Sequence, residues 1–228
     1  MELTSEIKVN GRQKFSSNLT SFKLYTLLQD YLGTNLELIH TRYKSSEGLL
    51  TFETDQSTTI HKEFYQHCEK SEFLESYHSY AASVIKPYFQ DIKYGDCGPL
   101  LIQRIPSFRV QVPNNIAVAE FHKDADYSHN VYETNIFLPF TDAIDTSTVW
   151  AETTAGSGDY KPLNTKLNEL WIWDGANCLH GNKVNSTDMS RVSFDFRILP
   201  KKYYVEGNTK ISVTAGKEMI IGDYWVEF

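Results

Sequence analysis

Two histidines and two aspartates fall within the ten residues FHKDADYSHN, positions 121–130, and His122 and Asp124 stand two apart. On an extended strand residues i and i+2 point to the same side, so this pair could offer an imidazole and a carboxylate to one ion. A polar surface loop has the same composition, and H-x-D alone does not separate the two. A second feature lies downstream, in WIWDGANCLHGNKVNSTDMSRVSFDFR. There an apolar segment runs into an Asp-Gly turn and His180 follows. Arg191 and Ser193 then open an alternating segment 11 residues further on.

Two neutral imidazoles and one carboxylate on one face of an octahedral ion leave three positions open, the geometry of non-heme Fe(II) oxygenases. A structural zinc site would instead close with four ligands, cysteine among them. A keto acid could fill two open positions and dioxygen the third. The distal carboxylate of 2-oxoglutarate then needs a fixed cation. Arg191 offers forked donors for it, and Ser193, on the same strand face, adds a hydroxyl.

These side chains need elements to hold them. SSNLTSFKLYTLLQDYL and SEFLESYHSYAASVIKPYF read as helices. In the second, Phe73, Leu74, Tyr77, Tyr80, Ala81, Val84, Ile85 and Tyr88 recur at three- and four-residue spacing, with Ser71 as an N-cap and Pro87 near the end. After Gly95 the pattern shortens. PLLIQRI, SFRVQV, NIAVAEF, TNIFLPF, TVWAE, LNELWIW and RVSFDFRIL are strand candidates between Pro, Gly, Asn and Asp turns. The tail NTKISVTAGKEMIIGDYWVEF offers edge strands. A helical third followed by short strands predicts a β-sandwich or barrel with helices packed on one sheet.

With 228 residues, 41% of them hydrophobic, the chain suits one domain over 1–228, mainly helical in 1–94 and β-rich in 95–228. Its net charge of -7, with 22 scattered Lys and Arg, speaks against nucleic acid or an anionic membrane as partner. Cys68, Cys97 and Cys178 are far apart and odd in number, which fits a reducing compartment and no disulfide framework. No apolar stretch approaches the ~18 residues of a span and no leader is evident, so a soluble, cytoplasmic protein is expected. Nothing in the sequence marks an oligomeric state.

Taken together, QRIPSFRVQVPNN, EFHKDADYSHNVYETNIFLPFTDA, TVWAETTAGSGDYKP and HGNKVNSTDMSRVSFDFR resemble the Fe(II)/2-oxoglutarate-dependent oxygenase superfamily. More narrowly, they resemble the streptomycin-biosynthesis oxygenase-like group and related oxygenases of sporadic carbohydrate gene clusters. The likeness spans residues 102–198. It implies a mainly β fold with flanking helices, built on a double-stranded β-helix (jelly-roll, cupin-like) core. It also implies His122, Asp124 and His180 as iron ligands, and Arg191 with Ser193 as the 2-oxoglutarate anchor. Asn135 occupies the place where family members set a polar residue beside the keto acid. A related group of halogenases lacks the carboxylate ligand. Asp124 is present here, so oxidation of a small molecule by Fe(II), 2-oxoglutarate and O2, with release of succinate and CO2, is expected.

Arg109 alternates with Ser107 and Gln111 and lines either the pocket or a solvated face. Tyr127, Glu133, Trp150 and Glu152 lie on segments that flank the metal and are candidates for substrate contact, although a strand tryptophan is more often core. His129 and Asp126 read as neighbours of the site and not as ligands. The substrate class implied is a sugar, aminocyclitol, nucleotide-sugar or amino acid. Two other readings use the same residues: a cupin-type metal-dependent sugar isomerase or epimerase, and a carbohydrate-binding jelly roll without catalysis.

Overall fold

The alternation RVSFDFRILP in residues 191–200 determines the middle of the molecule. In a computed structural model of the protein it forms the ten-residue strand β10 (Arg191–Pro200). The structure describes residues 4–9, 11–16, 19–33, 35–42, 58–69, 72–89, 98–118, 120–207, 210–212 and 216–228. Ser71 and Cys97 lie outside them. Strands β1 (Thr4–Val9), β2 (Arg12–Ser16), β3 (Leu100–Gln103), β4 (Ser107–Gln111), β5 (Thr134–Pro139), β8 (Glu169–Trp173), β10 and β11 (Trp225–Glu227) form one antiparallel sheet in the order β1-β2-β8-β5-β10-β3-β11. β4 pairs with the first half of β10, Ser193 opposite Arg109. A second sheet holds β7 (Lys161–Pro162), β6 (Val149–Ala151) and β9 (His180–Asn182).

The period of two sorts the large sheet into two faces. Val192, Phe194, Phe196 and Ile198 of β10, Ile136 and Leu138 of β5, and Leu170 and Ile172 of β8 share one core. Helices α1 (Lys23–Leu32), α3 (Thr59–Cys68) and α4 (Glu72–Tyr80) cover it, through Leu24, Leu28, Phe64, Phe73 and Tyr77. Short helices α2 (Ile39–Arg42) and α5 (Lys86–Tyr88) complete the layer. Phe194 meets Phe64, Phe73, Phe108 and Phe140 there, and burying each such ring contributes roughly 1.5–3 kcal/mol. The opposite face carries Phe137, Trp171 and Trp173, which pack on Val149, Ala151 and Leu163 of the small-sheet side. Three layers result: helices, large sheet, small sheet. The helices do pack on one sheet, as expected.

Three local expectations change. The described residues of NIAVAEF form no strand: Asn115 turns the chain after β4, accepting the Ile116 N–H on its own side chain at 2.8 Å. The helical third also contains the β1–β2 hairpin, whose β2 pairs with β8. Its signal is Asn-Gly between alternating residues, with Gly11 at φ 86°, a conformation glycine adopts without strain. The second expected helix is interrupted by a π turn at Ala81–Ile85, just ahead of Pro87, whose missing N–H and ring disrupt the regular ladder. Among the described residues no helix is long and apolar enough to cross a membrane.

Candidate metal centre

His180 opens β9, and its backbone pairs with His122 in an isolated antiparallel bridge, with N–H···O distances of 2.8 and 2.9 Å in the two directions. Asp124 is not on a strand. It begins a short 3-10 turn, Asp124–Tyr127, and its N–H donates to Gly175 O at 3.1 Å. The bridge and the turn bring together residues 56 positions apart in the chain. One potential donor atom from each of His122, Asp124 and His180 lies within 4.8 Å of the other two. Asp124 Oδ1 is 3.5 Å from His122 Nε2 and 3.7 Å from His180 Nε2. Two donors each ~2.1 Å from one ion stand at most about 4.2 Å apart, so both separations suit a shared metal.

The far side of each ring is already committed. His122 Nδ1 lies 3.0 Å from Glu120 O and His180 Nδ1 lies 3.0 Å from Cys178 O. A carbonyl only accepts, so each Nδ1 carries the proton and each Nε2 presents a lone pair. Burial pushes the His180 imidazole down to about 4, against the pull of Asp124, which keeps it neutral near pH 7. Burial alone would raise the Asp124 carboxyl. The Arg197 guanidinium, helped by His122, instead holds it well below the usual carboxylate range. Asp124 is ionised and both imidazoles offer nitrogen, so the donor set fits a divalent metal.

Asp124 Oδ2 accepts from Arg197 Nε at 3.0 Å, Arg197 Nη2 at 2.8 Å and Asn135 Nδ2 at 2.7 Å. Asn135, expected beside the keto acid, therefore spends its amide N–H on the Asp124 carboxylate. Arg197 was not anticipated, although its signal was in the sequence: Arg191, Ser193, Asp195 and Arg197 alternate on one face of β10. That face continues through Gln103 of β3, Ser107, Arg109 and Gln111 of β4, and Asn135 of β5, all buried polar residues. The inner row of β4 and β10 carries three arginines and one aspartate and is net positive. Arg109 points inward, its Nε 3.5 Å from Asp195 Oδ2. Arg191 and Ser193 lie at the start of β10, and the Arg191 guanidinium carbon is 5.6 Å from the Phe137 ring centroid. Asn135 Oδ1, Trp173 Nε1 and Ser193 Oγ are buried without a hydrogen-bond partner among the described residues. Such atoms cost about 1–3 kcal/mol each unless something polar meets them.

The remaining expectations separate. Tyr127 sets its ring edge-on to His122 at 5.3 Å, so it does flank the centre. Phe121 does too: Gly181 backs it so closely that a Cβ there would stand 2.6 Å from its ring. Glu133 is turned to its own loop, accepting from His129 Nδ1 and the Asn130 N–H at 2.7 Å each. His129 is thereby a neighbour of the site and not a ligand. Glu152 accepts the N–H groups of Leu179, Gly156 and Gly158, which ties the 153–158 hairpin to the segment before His180. Trp150 lies on the face of β6 opposite Val149 and Ala151, its Nε1 on Asp145 O at 2.8 Å and Lys183 Nζ over its ring. It is neither core nor part of the centre. Asp126 accepts the Lys123 N–H at 3.4 Å and stays outside.

Gly175 has a steric duty. A Cβ on it would stand 2.4 Å from Asn135 Nδ2, the atom bonded to Asp124. Gly175→Ala is expected to displace Asn135, lower metal affinity about 10-fold and cost about 1–3 kcal/mol of stability. Metal titration and a thermal melt check it, and unchanged affinity would remove the role given to this contact.

No family model matches the chain. It is 36% identical over 213 residues to the streptomycin biosynthesis protein StrG of Streptomyces griseus, covering 91% of this chain and 94% of the relative. Among solved structures it is similar to AviO1 from Streptomyces viridochromogenes Tue57, with TM-score 0.50, 12% identity, and 86% of this chain and 93% of that one covered. It is also similar to EvdMO1, with TM-score 0.51, 12% identity, and 84% of this chain and 47% of that one covered. At these identities the two structures speak for the fold alone.

Proposed function

The chain belongs to the family of the streptomycin biosynthesis protein StrG, and from that premise we propose that it is an Fe(II)- and 2-oxoglutarate-dependent oxygenase on a double-stranded β-helix core. The observation that carries this reading is the convergence of the half-buried His122 with the buried Asp124 and His180, both Nε2 atoms within 3.7 Å of Asp124 Oδ1. Two imidazoles and one carboxylate match a facial triad. Iron held there supplies the activation of O2 that oxidises a C–H bond, with 2-oxoglutarate converted to succinate and CO2.

The chain's own residues bind, orient and keep water out. His122 and His180 present nitrogen because Glu120 O and Cys178 O hold their Nδ1 protons. Arg191 and Ser193 would take the distal carboxylate of the dicarboxylate, a role that the buried, partnerless Ser193 Oγ favours. Phe137 and Trp173 line the dry side. Substrate would enter past His122, the most exposed of the three ligands, between Tyr127 and Phe121. Arg109, with Asp195, would help shape the floor. The relative's name supports a small molecule of antibiotic biosynthesis, and the class proposed is a sugar, aminocyclitol, nucleotide-sugar or amino acid.

Anaerobic titration with Fe(II) and 2-oxoglutarate is the test, followed by succinate measurement in air. A visible charge-transfer band that requires both additions is expected. Metal binding with indifference to 2-oxoglutarate would move the assignment to an isomerase or epimerase of the same fold. Arg191→Gln is expected to weaken 2-oxoglutarate about 10- to 100-fold, the size of a lost charged hydrogen-bond pair, while Fe(II) affinity stays within a few-fold. Equal 2-oxoglutarate affinity in the variant would place the anchor elsewhere.

A further inference from the structure

The two oxygens of Asp124 are treated differently. Oδ1 faces the imidazoles, whereas Oδ2 accepts three hydrogen bonds, two from Arg197 and one from Asn135. A carboxylate oxygen has about two lone-pair sites, so three donors saturate Oδ2. The donors are themselves fixed. Arg197 is buried, and its Nη1 reaches Gln103 Oε1 at 3.3 Å and Ser107 Oγ at 3.4 Å. Asn135 is backed by Gly175 and paired in register with Arg197 and Trp173 on neighbouring strands.

We propose that Arg197, with Asn135, is a positioning residue that restricts Asp124 to one-oxygen coordination and thereby keeps a third coordination position open beside a chelating co-substrate. The inference rests on the oxygenase reading above. Its logic is a count of positions. A carboxylate bound through both oxygens, with two imidazoles, would occupy four of six octahedral positions. A keto acid chelating through two oxygens would then fill the rest and leave none for a third reactant. Held through Oδ1 alone, Asp124 leaves three. Arg197 has a second effect: its charge offsets that of Asp124, so the metal keeps more of its attraction for a dianion.

Cobalt(II) substitution tests this without turnover, because its visible bands respond to the number and kind of protein ligands bound. Arg197→Lys keeps the charge and loses the fork; Asn135→Ala removes one donor and leaves Arg197 in place. Wild-type protein is expected to bind Co(II), and to bind 2-oxoglutarate with a spectral change. In Arg197→Lys, Co(II) affinity should fall no more than about 10-fold, while the spectrum of the binary complex changes and 2-oxoglutarate, meeting a metal that already holds a second carboxylate oxygen, binds about 10-fold or more weakly. Asn135→Ala should shift both readouts the same way by less. A merely structural role would lower Co(II) affinity and leave the 2-oxoglutarate affinity of the loaded protein alone. Wild-type spectra and wild-type 2-oxoglutarate affinity in both cobalt-loaded variants overturn the proposal while sparing the metal site. Should Arg197→Lys fail to fold, the same result in Asn135→Ala alone overturns it. Failure of the wild type to take Co(II) overturns the metal assignment and this proposal together.

Discussion

Asp124→Ala is expected to abolish metal binding and, unusually for a ligand, to destabilise the apo protein by about 3–5 kcal/mol. The size follows from what the carboxylate faces. Arg197, with a side chain 7% exposed, makes two of its hydrogen bonds to Asp124 Oδ2. Removing one partner of a buried ion pair leaves the other charge without its direct partner in a poor solvent, here with the more distant Glu133 offsetting it only in part, the costly outcome for such pairs. Gln103 and Ser107 remain as acceptors for Nη1 only, at 3.3 and 3.4 Å. For a chain of this length 1 kcal/mol moves the melting temperature by roughly 2–4 °C, so a fall of about 10 °C is expected. Asp124→Asn should lose metal affinity as well, but retain one acceptor for Arg197 and melt between the two. A melt of Asp124→Ala within 2–3 °C of wild type would show that the pair contributes little to stability.

His180→Ala should lose the metal equally and lose little else. Fewer partners depend on the imidazole. Its Nδ1 gives one hydrogen bond to Cys178 O, its ring meets the edge of Trp173 at 4.8 Å, and the bridge to His122 is made by backbone that alanine retains. Burial already keeps the ring neutral, so no charge is stranded when it goes. The expected cost is in the ordinary range of ~0.5–3 kcal/mol for a single substitution. Metal affinity, measured by calorimetry or cobalt titration, should fall more than about 100-fold, beyond what loss of an outer hydrogen bond brings. Retained tight binding in His180→Ala would take the triad apart. Together the two variants separate ligation from architecture: both lose the metal, and the apo fold suffers chiefly when the carboxylate is removed.

That separation explains what could be read in advance. Residue types and spacings name the donors: His122, Asp124 and His180 carry the chemistry that a divalent metal accepts, and no other described group converges in this way. The alternation of RVSFDFRILP likewise announces a strand with one apolar and one polar face, because a pleated strand has period two whatever its neighbours. The NG between alternating residues is as plain a hairpin signal, but the helical texture that follows it masks it. Arg197 is a different case. Its alternation with Arg191 and Ser193 was visible, but nothing local to β10 says that its partner is a carboxylate 73 positions away.

The sequence by itself determined the candidate donors and the strand faces, because these depend on side-chain chemistry and on backbone geometry repeated every two residues. Tertiary structure alone decided which oxygen of Asp124 is left for a metal, that Asn135 serves the ligand before anything else, and that Glu133, Trp150 and Glu152 turn away from the centre. Those outcomes hang on distances between strands remote in the chain. They are set by register, by the turn at Gly175 and by the bridge joining His122 to His180, none of which any short stretch of residues encodes alone.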